Sequence, residues 1–127
     1  MSSAFDPHQG LIIVNSEIVG VSGTAVLRLA LDTGATTTLI NSDMLLSIGY
    51  DSALSQSRVQ ITTASGVEEV PQIKLTRLAA LGKDLTDFPV LSFTLPPSSG
   101  VDGLLGLDFF RVKRLEIDFR NGSIILD

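Results

Sequence analysis

Hydrophobic positions along the chain recur mostly at a period of two, the spacing that buries one face of a β-strand. Leu11, Ile12, Ile13 and Val14 form a short apolar strand, and residues 24–31 alternate imperfectly up to Asp32. Residues 36–40 are rich in β-branched side chains, which suit a pleated surface. Asn41 or Ser42 is then placed to cap a helix, with Asp43 in its first turn and Gly49 where it stops. Met44, Leu45 and Ile48 stand at helical spacing, and so short a helix suits the end of a barrel. Residues 58–63 and 70–78 read as strands around Ala64, Ser65, Gly66 and Val67, a hairpin with a mobile tip. Strand character continues over 85–95, Pro96 and Pro97 make a stiff turn, and residues 101–106 lead from a strand into a short helix over 107–112. Residues 114–119 alternate cleanly, and Asn121-Gly122 predicts a tight hairpin returning through 123–126. The order strand, acid-and-glycine loop, strand, helix occurs at 29–48 and more loosely at 91–112, a weak sign of internal duplication. The pattern predicts a frayed N-terminus over 1–10 and one mainly β domain over 11–127, largely antiparallel, with two short helices.

Composition narrows the function. A chain of 127 residues, 44% hydrophobic, fills one domain with an ample core but cannot supply two full lobes. The absence of cysteine excludes a disulfide scaffold, a thiol nucleophile and a thiolate metal site. Nine basic against fourteen acidic residues leave a net charge of −5, which argues against nucleic acid as a partner. The densest basic stretch, Arg111, Lys113 and Arg114, is too small to reverse that and reads as a solvated helix end. His8 is the only histidine, so neither a zinc site nor serine–histidine catalysis within one chain is expected. Gly100, Gly103 and Gly106 recur every third residue without the lysine of a phosphate loop. No cofactor and no metal are expected. No secretory leader is visible, and no stretch approaches the roughly 20 apolar residues of a membrane span. A cytoplasmic protein without a membrane partner is therefore expected, whether whole or cut from a longer chain.

Candidate chemistry concentrates at Asp32-Thr33-Gly34-Ala35. The three residues Asp, Thr and Gly are turn formers and alone carry little information. Their context carries more: apolar residues precede Asp32, and Leu39 and Ile40 follow, so the loop is drawn toward the core, where a carboxylate needs a reason to be. Elsewhere the bland readings serve. Glu68 and Glu69 read as a solvated hairpin face, Asp84 and Asp87 as turn residues, and Phe109 and Phe110 as core.

In these segments the sequence resembles the retropepsin-like aspartic proteases, most closely their cellular and bacterial members. Three features match in order over residues 11–127: the loop at Asp32, the hairpin around Ala64, Ser65 and Gly66, and the Leu104-Leu105-Gly106 segment. The resemblance implies a closed acid-protease β-barrel, one lobe per chain, with a flap hairpin over the cleft. It implies an endopeptidase in which Asp32 is catalytic, Thr33, Gly34 and Ala35 support its loop, and Leu104, Leu105 and Gly106 pass beneath. The Thr33 hydroxyl would bond across a dimer, the Gly34 carbonyl would accept from a peptide or protein substrate, and the flap backbone at Ala64, Ser65 and Gly66 would pair with it. Such hydrolysis needs two carboxylates sharing a proton. Asp102 and Asp108 lack the hydroxyl-glycine continuation, so a homodimer pairing two Asp32 side chains is expected.

Departures from the family pattern qualify that expectation. Viral members follow the loop with two acids, one of which pairs with an arginine after the second glycine. Thr36, Thr37 and Leu107 stand there instead, so both partners of that ion pair are missing together. Support for the dimer then has to come from elsewhere, and the C-terminal hairpin is expected to build much of an intersubunit sheet. The alternative to an enzyme is a catalytically silent module of the same fold, serving dimerisation or peptide binding.

Overall fold

Apolar residues falling on alternate positions of six strands leave each strand one face to bury, and rolling the sheet into a barrel buries all six. The computed structural model describes residues 2–127, apart from the Thr63 side chain. The strands in chain order are β1 (Ser2–Ala4), β2 (Ile13–Val19), β3 (Thr24–Leu31), β4 (Leu39–Asn41), β5 (Arg58–Thr63), β6 (Gly66–Ala80), β7 (Lys83–Phe93), β8 (Gly103–Leu105), β9 (Leu115–Asp118) and β10 (Ser123–Leu126). Helix α1 covers Ser42–Ser47 and α2 covers Leu107–Phe110. Strands run β2-β3-β8-β4-β7-β6 around the barrel, β6 closes on β2, and β5 hangs from β6 as a hairpin arm. Among the described residues no helix is long and apolar enough to cross a membrane.

The two halves of the barrel repeat one another. A hairpin (β2-β3, then β6-β7) leads through a loop to a short strand (β4, then β8) and a short helix. Each short strand pairs in parallel with the long strand of the other half, β8 with β3 and β4 with β7. That exchange gives spatial substance to the weak repeat in the sequence. It also sets two parallel pairings in a sheet expected to be mainly antiparallel.

Inside the barrel Leu27, Leu29, Leu75, Leu78 and Leu105 are fully buried around Phe109. The Phe109 ring meets Phe88 and Phe110 edge-on, at 6.4 and 5.3 Å. Each such side chain contributes about 1.5–3 kcal/mol by leaving water. Helix α1 is capped by Asn41, whose side chain accepts from the Asp43 N–H at 3.3 Å, and its Leu45 is fully buried in the core.

Several elements differ from their expected bounds, each for a local reason. Strand β2 runs later than 11–14, because Asn15, Ser16 and Glu17 are strand residues. Ser16 turns inward with Val14 and Ile18, and its hydroxyl donates to the Val14 carbonyl at 3.4 Å. Strand β4 begins at Leu39 rather than Thr36, since the Thr38 N–H is engaged by a carboxylate. Asp84 and Asp87 lie within β7, not in a turn; Asp84 pairs with Arg77 at 2.8 Å, and the turn is Leu81-Gly82, both at positive φ. The final hairpin pairs Asp118 with Ser123, leaving a four-residue loop instead of a two-residue Asn-Gly turn. There the Asp118 carboxylate accepts from the Asn121 N–H and side-chain amide and from the Arg120 N–H. These bonds, that of the Asn121 N–H foremost, hold its carboxyl below the ordinary carboxylate range.

Ser2–Ala4, expected in a frayed stretch, pair with β10, and the Phe5 ring meets Phe119 edge-on at 5.8 Å. Strand β10 is thus the middle of a three-stranded sheet, β1-β10-β9, with Ile124 and Leu126 buried. Both of its edges are used within its own chain, so a strand from another molecule could add only at β1 or β9.

Two outcomes follow. Deleting residues 121–127 removes two buried aliphatic side chains, each worth about 2–5 kcal/mol, from a fold whose total stability is on the order of 5–15 kcal/mol. Circular dichroism of the truncated chain should show loss of the folded state, not a well-folded monomer. Gly103→Ala places a methyl 2.1 Å from the Leu39 carbonyl oxygen. Thermal denaturation should register a loss of about 1–3 kcal/mol or more.

Candidate active site

The loop of residues 32–38 joins β3 to β4, and β8 passes between those two strands. β8 pairs in parallel with β3 (Leu31 opposite Leu105) and antiparallel with β4 (Leu39 opposite Leu104), so the loop must arch over the end of β8. The Asp32 N–H donates to the Leu105 carbonyl at 3.0 Å, and the Leu107 N–H donates to the Ala35 carbonyl at 2.8 Å. Gly106 lies beneath the arch; a Cβ there would stand 2.8 Å from the Ala35 carbonyl oxygen, and its φ is negative, so lack of space and not backbone conformation demands glycine.

Within the arch, the Ala35 N–H donates to the Asp32 carbonyl at 3.2 Å, and the Gly34 N–H donates to Asp32 Oδ1 at 2.9 Å. The second bond aims the carboxylate across its own loop. A side chain at Gly34 would press on that same oxygen, with a Cβ 3.1 Å away. Asp32 is half-buried, while Thr33 and Gly34 are exposed on this single chain. The hydroxyl residue and the glycine are thus open to solvent, and the acid partly so.

A brace not foreseen in the sequence holds the far side of the loop. Thr38, the last of three successive threonines, is fully buried. Its N–H donates to both Asp108 oxygens at 3.0 Å, and its hydroxyl donates to Asp108 Oδ1 at 2.6 Å. The same hydroxyl accepts from the Gly106 N–H at 3.0 Å. Charge-assisted bonds of this kind are the stronger sort, and every polar group in the cluster has a partner. Asp102 serves similarly at the other end of β8: its Oδ2 accepts from the Arg28 N–H at 2.8 Å. Both acids lack the hydroxyl-glycine continuation, and the structure gives them bracing work. The available signal for Asp108 was an acid in the first turn of α2, two residues after Gly106.

A cavity of about 590 Å³ opens beside the loop, lined by Gly34 to Thr37, by Leu39, Leu91 and Leu104, and by Val59 to Thr62 of β5. Among the described residues no ionisable side chain lines it. Of the expected site residues, Gly34, Ala35 and Leu104 line this space, Asp32 and Thr33 precede Gly34 in the same loop without lining it, and Leu105 and Gly106 are buried. Ala64, Ser65 and Gly66 are exposed at the hairpin tip and do not line it on this single chain; Ala64-Ser65 form the turn and Gly66 has a φ of +123°.

The family model described as Aspartyl protease matches residues 18–109, which span the loop, the hairpin and β8. No curated protein matches the chain. The crystal structure of a retropepsin-like aspartic protease from Rickettsia conorii is similar, with a TM-score of 0.73 and 21% sequence identity over 99% of this chain and 88% of that one. A barrel closed by β6 on β2, a loop arched over β8, and a family match over most of the length agree: the chain belongs to the aspartyl protease family and has the retropepsin-like fold.

Proposed function

We propose that the chain is an aspartic endopeptidase that works as a homodimer, with Asp32 from each of two copies forming one catalytic pair. The observation that carries this reading is the half-buried Asp32 on a loop braced from two sides, whose following residues line an uncharged cleft of about 590 Å³. One such acid cannot perform the reaction, since water must lose a proton while the peptide carbonyl gains one. A twofold axis beside Asp32 supplies the second carboxylate without a second motif. Like charges at such close range cannot both ionise, so the pair holds one proton between them. The ionised carboxylate takes a proton from water, the protonated one donates to the carbonyl oxygen, and the tetrahedral adduct collapses with proton transfer to the leaving amine. The two roles belong to the pair and not to either copy.

In this reading Thr33, exposed on the isolated chain, meets the partner's loop and holds the two carboxylates coplanar. The Gly34 carbonyl and the backbone at Ala64, Ser65 and Gly66 bind the substrate as an extended strand, main chain to main chain. Leu104, Leu105 and Gly106 carry the loop from below. No cofactor takes part.

Asp32→Asn keeps the shape and the bond from Gly34 but removes the ionisable oxygen. Digestion of a mixed peptide library between mildly acidic and neutral pH should slow by at least about 10²-fold. Thermal stability and sedimentation should stay close to wild type. Equal cleavage by the two forms would favour the silent-module reading.

A further inference from the structure

Pairing within the β5–β6 hairpin separates two glutamates that are neighbours in sequence. Ile61 stands opposite Glu68, and Val59 opposite Val70. Directly opposed residues of an antiparallel pair share a face. Residues 59–62 of β5 all line the cleft, but Val70 is buried and Val59 and Ile61 are half-buried while Gln60 and Thr62 are exposed, so the face of Val59, Ile61 and Val70 is the inner one. The other face carries Gln60 opposite Glu69, together with Arg58 and Thr62, and it is exposed. Glu68 is therefore the one charged residue that the register places on the cleft side of the hairpin. It takes part in none of the ion pairs among the described residues.

Resting on the endopeptidase reading, we propose that Glu68 is a specificity-determining residue that selects substrates with a lysine or arginine side chain in each half of the cleft. The surroundings favour a long basic side chain over a short one. Its methylene stem can lie along the apolar wall of Val59, Ile61 and Leu91 while the cation reaches the carboxylate. Glu68 is exposed beyond the lining of the cavity, where among the described residues no ionisable group competes for that cation, and the net charge of −5 adds a favourable field. In a twofold dimer the two Glu68 residues stand on opposite sides of the scissile bond, so the preference appears at two symmetry-related positions. Because the residue is exposed, its effect is that of a solvent-screened ion pair, about threefold to fivefold for basic over neutral side chains.

The test profiles cleavage of a peptide library by wild type, Glu68→Gln, Glu68→Lys and Glu69→Gln at low and at high sodium chloride. Wild type should prefer basic residues at two related positions, and high salt should weaken the preference. Glu68→Gln should lose it, Glu68→Lys should turn it toward acidic residues, and Glu69→Gln should keep the wild-type profile. Cleavage whose side-chain preference is unchanged by both Glu68 substitutions, or changed equally by Glu69→Gln, overturns this inference and leaves the endopeptidase reading standing. Absence of cleavage by every form, wild type included, overturns both.

Discussion

The placement of β8 between β3 and β4 is the constraint on which the rest of this protein depends. A strand can pass there only if its close approaches carry no side chain, and Gly103 and Gly106 meet that demand against the backbones of residues 39 and 35–37. Once β8 is seated, the chain from β3 to β4 has to go over it. The loop that results is held by the Asp32 N–H on one side and by the Thr38–Asp108–Gly106 cluster on the other. Asp32 gains its orientation from backbone bonds that other residues fix. In the proposed reaction a carboxylate held in this way needs little reorganisation when it acts, which is where much of an enzyme's advantage arises.

The same architecture bears on the proposal that one chain provides half a site. The barrel is built of two similar halves, each with a loop over the other half's strand. Only the first loop carries the acid, the hydroxyl and the glycine. The second, around Pro96 to Gly100, holds two prolines and a left-handed glycine and has no acid at its apex. Its acid, Asp102, is turned back onto β3. Internal symmetry thus serves the fold, while the proposed chemistry calls for symmetry between chains.

Much of this was legible in the sequence, and the exceptions have physical causes. β3, α1, β5 and β10 announced themselves through local alternation, capping and turn residues. The loop at Asp32 was readable from its apolar flanks, and Leu104-Leu105-Gly106 through the family resemblance alone. The Thr38–Asp108 brace was not, because its partners are 70 residues apart in the chain and neither has an unusual neighbour. The N-terminal strand was missed for a related reason: Ser2, Ser3 and Ala4 have little strand character, and only a pairing with β10 gives them one. Asn121-Gly122 misled in the opposite direction, since Asp118 captures the asparagine side chain and widens the loop. The contrast between Glu68 and Glu69 could be resolved only by the hairpin register, because a one-residue shift exchanges the two faces.

The central claim is that activity belongs to two chains and not to one. Specific peptidase activity measured across a dilution series, beside sedimentation velocity on the same samples, tests it most directly. The account predicts that specific activity falls in proportion to the fraction of dimer and vanishes where the chain sediments as a monomer. Constant specific activity in a species that sediments as a monomer would contradict it.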